Sequence, residues 1–143
     1  MKTNLILNLD IGLVDQQSMS AEIYVDDLLI SHRQIFDQPS TSIDLEIKLP
    51  CKIMIQLSGR NNNDTKIDQQ GNILQDKYIH LKNIEIFDTT IDSYKIPEKI
   101  LKYKPDHLIQ LKNRFFWNRN GKVILSIDQA DPLVWLLKNP ELW

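Results

Sequence analysis

The sequence has little of several features that would place it in a specialised class of protein. Its single cysteine, Cys51, cannot form an internal disulfide and lacks the paired spacing of a structural zinc site. No stretch approaches the ~18 consecutive apolar residues that cross a bilayer, and polar residues interrupt the amino-terminal apolar run that a signal peptide would need. The formal net charge of -2 offers no basic surface for a polyanion. We therefore expect neither a membrane nor a nucleic acid as partner.

Catalytic motifs are equally scarce. The three histidines, His32, His80 and His107, are scattered and have no partner four residues away. No Gly-x-Ser-x-Gly context surrounds a serine, and the Gly59-Arg60 sequence does not continue as a phosphate-binding loop. We therefore expect no catalytic residues, and a small hydrolase of β-sandwich fold ranks only third among the possible functions.

The ordinary features of the chain predict one soluble domain. Its 143 residues are 42% hydrophobic and 25% charged, which is typical of a single globular unit able to bury a core without disulfides. We see no internal repeat and no linker, so residues 1–143 are predicted to form one domain. Within it, residues 130–143 form a carboxyl-terminal segment that could dock on a partner.

Alternating hydrophobicity is the dominant pattern in the chain. Between Thr41 and Pro50, one face is apolar and the other carries charge, as in a half-buried strand. The apolar residues of this strand are Ile43, Leu45, Ile47 and Leu49. Residues 51–58 repeat the pattern after Pro50, and this short connection predicts that the two strands are antiparallel neighbours.

Turn signals divide the remaining strands. Asp26-Asp27 stands where a two-residue hairpin turn belongs, which requires aspartate to accept positive φ. Gly71 is predicted to take the left-handed position of a second hairpin loop, and Lys82-Asn83 shifts the phase of a strand in the manner of a β-bulge. Asn120-Gly121 is the strongest hairpin signal in the sequence.

Together these patterns predict eight to ten short strands and few or no helices. The expected fold is an all-β antiparallel sandwich or jelly roll. Residues 87–106 are expected to be irregular, and the piece between Pro97 and Pro105 to form one helical turn or a loop over the sandwich. The tail from Pro132 is either a strand or a short helix capped by Asp131.

The candidate site is the stretch Ser58–Ile86, in which a loop rich in aspartate and asparagine precedes a long strand. Such side chains supply the oxygen ligands that Ca²⁺ prefers. They are also turn formers that hydrogen-bond to their own backbone, and we favour this second interpretation. The candidate metal ligands are Asp64, Asp68 and Asp76, and the candidate ligand-binding or partner-binding residues of the loop are Asn62, Asn63 and Asn72.

Aromatic residues near the carboxyl end form a second candidate surface. Phe115, Phe116 and Trp117 are consecutive, so alternation sends Phe116 to one face and its neighbours to the other. Either Trp117 with Phe115, or Phe116, could present a platform to a sugar ring or a protein, although buried rings are the commoner outcome. Trp143, which follows Pro140, could dock into a neighbouring subunit.

Several segments resemble those of known families. Residues 23–30, I-Y-V-D-D-L-L-I, resemble the hairpin of carbohydrate-binding-module β-sandwiches, and residues 63–81 are similar to a segment of calcium-dependent xylan-binding-type domains. These segments, with the tail Pro132–Leu137, also resemble small structural proteins of tailed bacteriophages.

The phage resemblance implies a non-catalytic viral structural protein that decorates a capsid or belongs to a tail or fibre. Such a protein is located in the virion, is assembled in the host cytoplasm, and contacts other virion proteins or copies of itself. It needs no cofactor. The alternative is a Ca²⁺-assisted carbohydrate-binding module whose partner is a glycan.

Overall fold

The fold is built almost entirely from β-strands. The computed structural model describes residues 2–61, 64–104 and 115–143. In these ranges the strands are β1 (Lys2–Gly12), β2 (Ser20–Val25), β3 (Leu28–Ile35), β4 (Ser40–Lys48), β5 (Cys51–Ser58), β6 (Thr65–Ile67), β7 (Ile73–Asp76), β8 (Tyr78–Ile86), β9 (Thr89–Asp92), β10 (Leu101–Lys104), β11 (Phe116–Trp117) and β12 (Gly121–Ile127). One α-helix, α1 (Pro132–Lys138), follows β12 in these ranges. Short 3-10 turns occur at Ser93–Lys95, after β9, and at Pro140–Leu142, after α1. Within the described ranges, every helix is too short to cross a membrane.

The strands form two five-stranded antiparallel sheets and one separate hairpin. The first sheet has the order β11-β8-β1-β4, with β9 also paired to β8, and the second has the order β10-β12-β5-β2-β3. Among the residues that the structure describes, strands β6 and β7 pair only with each other. This arrangement confirms the predicted all-β antiparallel sandwich.

The core lies between the inner faces of the two sheets. In β4 the residues Ile43, Leu45 and Ile47 are buried while the residues between them are exposed, as the alternation predicts. The inner residues of β1, β8, β2, β5 and β12 join them in one hydrophobic cluster. Trp135 of α1 is fully buried in the same cluster, so the carboxyl-terminal segment packs onto the sandwich.

Local turn chemistry agrees with the sequence at several points. Asp26 and Asp27 have φ values of 48° and 68°, so both accept the left-handed conformation of a two-residue hairpin. Gly71 has φ of 84°. The register between β1 and β8 shifts where Lys82 is the extra residue, which confirms the predicted bulge.

The tail adopts the helical alternative. The Asp131 carboxylate accepts a hydrogen bond from the Leu133 amide at 2.9 Å and caps α1, with Pro132 in the first turn.

The expected pairing of residues 41–49 with residues 51–58 is wrong. Strand β4 pairs with β1 in the first sheet, whereas β5 pairs with β2 and β12 in the second. Leu49 continues the buried face of β4 and Cys51 begins the buried face of β5. The connection therefore crosses from one sheet to the other, and both strands cover the same core.

The predicted hairpin at Asn120-Gly121 is also wrong. Strand β11 pairs with β8 in the first sheet, while β12 pairs with β5 and β10 in the second. The Asn120 side chain is used in a different way, because its oxygen accepts a hydrogen bond from the Arg60 amide and its nitrogen donates to the Arg60 carbonyl, both at 2.9 Å. The Asn120 side-chain amide therefore makes with Arg60 the pair of hydrogen bonds that a neighbouring strand would make with its backbone.

Residues 87–104 contain more regular structure than their sequence predicts, and residues 105 and 106 of the predicted irregular segment lie outside the described residues. They include β9 and β10, and in β10 the buried Leu101 and Tyr103 alternate with two exposed lysines. Four residues are too few for a period of two to be recognised with certainty from sequence.

Candidate functional site

A hairpin that belongs to neither sheet is the most distinctive feature of the surface. We call residues 65–76, which contain β6, its turn and β7, the hairpin arm. Ile67, Ile73 and Leu74 of this arm are 60%, 66% and 65% exposed. Ile67 and Ile73 are direct cross-strand partners, so they form one apolar pair near the tip.

The turn of the hairpin arm is held by its own polar residues. The Asp68 carboxylate accepts hydrogen bonds from the backbone amides of Asn72 and Gln70, each at 2.9 Å, and from the Asn72 side chain at 3.2 Å. The bond from the Asn72 amide is the main cause that lowers the pKa of Asp68. Asp68 and Asn72 thus shape the turn, with Gly71 in its left-handed position.

Two ion pairs fix the base of the hairpin arm. We call Arg60, Asp64, Asp76 and Lys77 the arm base. The Arg60 guanidinium contacts Asp76 at 2.8 Å, and it also donates to the Thr65 hydroxyl at 3.0 Å and to the Lys77 carbonyl. The Lys77 ammonium contacts the Asp64 carboxylate at 3.2 Å and donates to the Gly59 carbonyl at 3.2 Å.

These ion pairs are largely removed from water. The side chains of the arm base are between 8% and 18% exposed, and Lys77 is the most buried of them. A hydrogen bond from the Asn61 amide, followed by the contact with Lys77, lowers the pKa of Asp64 below its ordinary value. The charges of the arm base therefore compensate one another inside the structure.

The structure does not gather the predicted metal ligands. Asp64 and Asp76 each face a basic side chain, and Asp68 is engaged in the turn. Across residues 2–61, 64–104 and 115–143, no group of three acidic, histidine or cysteine side chains is placed to hold a metal ion. Asn62 and Asn63 lie outside the described residues. One interpretation of the sequence predicts a bound metal cation beside these carboxylates. The positive charge beside Asp64 and Asp76 comes instead from Lys77 and Arg60, which were not identified from the sequence as part of the site.

The carboxyl-terminal aromatics divide as alternation predicts. Trp117 is 1% exposed and lies in the core, so it does not offer a surface platform. Phe116 points outward and stacks on Tyr78, with 4.7 Å between the ring centroids and His80 6.0 Å away. Tyr78 and His80 lie on the outer face of β8, because Ile79 between them is buried.

Polar side chains continue this outer face of the first sheet. The Asn8 side chain donates to Asn83 at 2.6 Å and to Glu85 at 2.8 Å, and it accepts from Ser42. The face therefore combines an aromatic pair with a hydrogen-bonded row.

A second apolar surface lies at the carboxyl terminus. Trp143 is 63% exposed, and its indole nitrogen donates to the Leu136 carbonyl at 2.7 Å. Beside it is a cleft of about 200 Å³, which we call the carboxyl-terminal cleft. Its lining residues are Thr89, Leu133, Leu136, Leu137 and Trp143.

The one cysteine is a poor nucleophile. Cys51 is buried, and burial together with the nearby Asp26 carboxylate raises its pKa to about 11. The thiol is therefore protonated at neutral pH, and the thiolate is the reactive form.

Comparison with known proteins gives no relatives: no protein-family model, no curated protein and no solved structure matches this chain. The resemblance of residues 23–30 and 63–81 to known modules therefore stays a prediction.

Proposed function

We propose that this protein is a non-catalytic assembly module that contacts other proteins through the hairpin arm, as a small virion-associated component of a capsid, tail or fibre. The hairpin arm carries the proposal, because it presents three large aliphatic side chains outside both sheets. Contiguous exposed apolar surface is typical of protein interaction sites. The virion setting is supported by the resemblance of several segments to phage structural proteins.

The arm base makes the hairpin arm suitable for binding. An isolated two-stranded hairpin is marginally stable in water. Here Arg60 and Lys77 fasten both of its strand ends, and Lys66 adds a contact of 2.5 Å to Asp15 of the sandwich. An element that is ordered before binding loses less conformational freedom when it binds.

The size of the apolar pair sets the strength of the contact, because Leu74 follows Ile73 directly in β7 and points to the opposite face. Fully burying an aliphatic side chain is worth about 1.5–3 kcal/mol, so burying the exposed two-thirds of Ile67 and Ile73 contributes roughly 2–4 kcal/mol. Association costs about 4–15 kcal/mol. One arm contact is therefore weak alone and becomes effective when many copies are held together, as in a particle.

Incorporation into particles tests this function. A tagged chain is expressed in infected host cells, particles are purified on a density gradient, and the copies per particle are counted by quantitative mass spectrometry. We expect the double variant Ile67→Thr, Ile73→Thr to be lost from particles.

The control is Leu28→Thr, which removes an equally exposed aliphatic side chain from β3 and should be retained. Melting curves and circular dichroism confirm that both variants fold. Particles that lack the wild-type chain, or that hold the double variant at the wild-type level, would contradict the proposal.

One feature favours a second function, the binding of a glycan. The stacked pair of Tyr78 and Phe116 lies on the outer face of the first sheet beside the hydrogen-bonded row of Asn8, and aromatic faces combined with amide groups suit a sugar ring. Calcium binding by Asp64 and Asp76 is not supported, because each carboxylate is paired with a basic side chain.

Calorimetry with xylo-oligosaccharides tests this second function. Saturable heat that disappears in Phe116→Ala supports it, and the absence of heat for the wild type rules it out for this ligand. Repeating the titration in chelator shows whether calcium takes part.

A further inference from the structure

The hairpin arm and the carboxyl-terminal cleft lie at opposite ends of the first sheet. The arm ends at Asp76, just before β8 begins at Tyr78, while Thr89 of the cleft pairs with Ile86 at the other end of β8. A strand rises ~3.3 Å per residue, so the nine residues of β8 separate the two surfaces by roughly 25–30 Å. The arm of one molecule cannot reach its own cleft.

The two surfaces are complementary in shape and chemistry. The arm carries an exposed apolar pair, Ile67 and Ile73, and the cleft is a concave apolar surface whose Leu133, Leu137 and Trp143 are half to two-thirds exposed. A water occupies about 30 Å³ in the liquid, so a cleft of about 200 Å³ has room for the four-carbon side chain of isoleucine.

The charges beside these surfaces are also complementary. Asp68 follows Ile67 at the tip of the arm, and its lowered pKa keeps it ionised at neutral pH. Lys138 follows Leu137 beside the cleft, is exposed, and forms no ion pair with any residue in the described part of the chain. Opposite charges at the edge of an apolar contact favour one orientation of the partner.

We propose that the carboxyl-terminal cleft receives the hairpin arm of a second copy of this chain. The inference rests on the proposed function, since both use the arm as the contact surface. Because the two surfaces are different and lie at opposite ends of the first sheet, we infer a heterologous, head-to-tail contact. Only the end molecules of such a chain keep a free arm or a free cleft, so copies add until a ring closes or a filament grows, whereas a wild type that stops at a dimer would show a reciprocal pair instead and overturn the head-to-tail geometry.

Strand β3 is a poorer surface for self-association, although Leu28 and Ile35 are exposed on it. It is an edge strand, but its pairing with β2 shifts register twice. Bulges of this kind interrupt the regular edge that a second strand would need.

Mixing two variants tests the head-to-tail contact. The arm variant is Ile67→Thr, Ile73→Thr, and the cleft variant is Leu133→Ser, Leu137→Ser; circular dichroism and melting curves verify that both fold. Sedimentation velocity of the purified wild type, from micromolar to millimolar concentration, should show species larger than a dimer. Each variant alone should remain monomeric. An equimolar mixture should form a dimer and nothing larger, because one intact arm and one intact cleft remain.

Cross-linking identifies the surfaces directly. Lys66 lies beside Ile67 in the arm, and Lys138 lies beside Leu137 at the cleft, so an amine-reactive reagent should join Lys66 of one isotopically labelled copy to Lys138 of an unlabelled copy. Cross-links between two Lys66 residues alone would overturn the head-to-tail geometry.

The remaining outcomes also decide the matter. A wild type that assembles while the mixture stays monomeric, or a variant that assembles alone as the wild type does, overturns the proposed contact. A wild type that is monomeric throughout also overturns it. In that case the proposed assembly function is still tested separately, by whether incorporation into particles depends on the arm. If it does, the arm binds a different virion protein.

Discussion

Replacing Lys77 by methionine removes one charge from the arm base and keeps most of the side-chain volume. The Lys77 side chain is 8% exposed and contacts the Asp64 carboxylate and the Gly59 carbonyl, both at 3.2 Å. In the variant, Asp64 remains largely buried and loses its basic partner. We therefore expect the Lys77→Met protein to fold with a lower free energy of unfolding.

The magnitude follows from the burial of the pair. Breaking a buried ion pair by removing one partner costs about 3–5 kcal/mol. Asp64 is slightly exposed and keeps the hydrogen bond from the Asn61 amide, so we expect a loss of roughly 2–3 kcal/mol. For a chain of this length that corresponds to a decrease in melting temperature of about 5–12 °C.

A double-mutant cycle measured by urea denaturation checks the mechanism. Asp64→Asn should also destabilise the protein, because it leaves Lys77 buried without a charged partner. The double variant Asp64→Asn, Lys77→Met should lose about 1–3 kcal/mol less than the sum of the single losses. The control is Lys82→Met, whose exposed ammonium lies 3.9 Å from Asp10, and it should change stability by less than about 0.5 kcal/mol.

The pH dependence of the free energy of unfolding gives an independent test of the contribution of Asp64. The pKa of Asp64 is lowered in the folded state, by the Asn61 amide first and Lys77 second among the stabilising contacts. Its contribution to stability is therefore complete above the unfolded pKa of about 3.9 and is lost as the pH falls through the lower folded pKa. The difference between wild type and Lys77→Met should shrink in that acidic range. Equal losses for Lys77→Met and Lys82→Met, or strict additivity in the cycle, would refute this account of the arm base.

Three further predictions concern the turn, the helix and the metal. Asp27→Gly should raise the free energy of unfolding by roughly 0.5–1 kcal/mol in urea denaturation, because glycine adopts the positive φ of this turn without strain; a decrease would contradict this. Asp131→Ala should lower it by about 1 kcal/mol, because the first turn of α1 loses its cap, and an unchanged midpoint would argue against the cap. Calcium and chelator should give the same melting temperature by scanning fluorimetry, because Asp64 and Asp76 are ion-paired, and stabilisation by calcium would contradict that expectation.

Much of the sandwich could be predicted from local patterns. The alternation in Ser40–Lys48 and Cys51–Ser58 gave the correct inward faces, and the turn residues Asp27 and Gly71 took the backbone conformations that their positions require. Such signals depend only on neighbours in the sequence, because a strand half-buried in any sheet shows a period of two.

The pairing of strands could not be predicted in the same way. An apolar face on β4 and on β5 is compatible with neighbouring positions in one sheet and with opposite positions across a core. Asn120-Gly121 likewise has the composition of a hairpin turn, but Asn120 hydrogen-bonds to the backbone of Arg60, a residue distant in sequence. Distant contacts decide between arrangements that have identical local patterns.

The candidate stretch contains the hairpin arm, but part of the chemistry of this stretch was missed. The polar loop and its turn were recognised, whereas the ion pairs of Arg60 with Asp76 and of Lys77 with Asp64 were not. Each pair joins residues more than ten positions apart and depends on how the arm folds back onto the sandwich. The available signal was the presence of two basic residues at the two ends of the acidic stretch.

The position of β12 in the second sheet has a consequence for synthesis of the protein. Strand β12 inserts between β5 and β10, and roughly 60 residues separate the end of β5 from its start. At about 5–20 residues per second, the ribosome needs roughly 3–12 s to make this interval. Throughout that time one edge of β5 is unpaired beside an apolar face, which is a condition that promotes aggregation. The nascent chain is therefore more vulnerable than the finished protein, and chaperones that hold the β5 edge should raise the yield of folded protein.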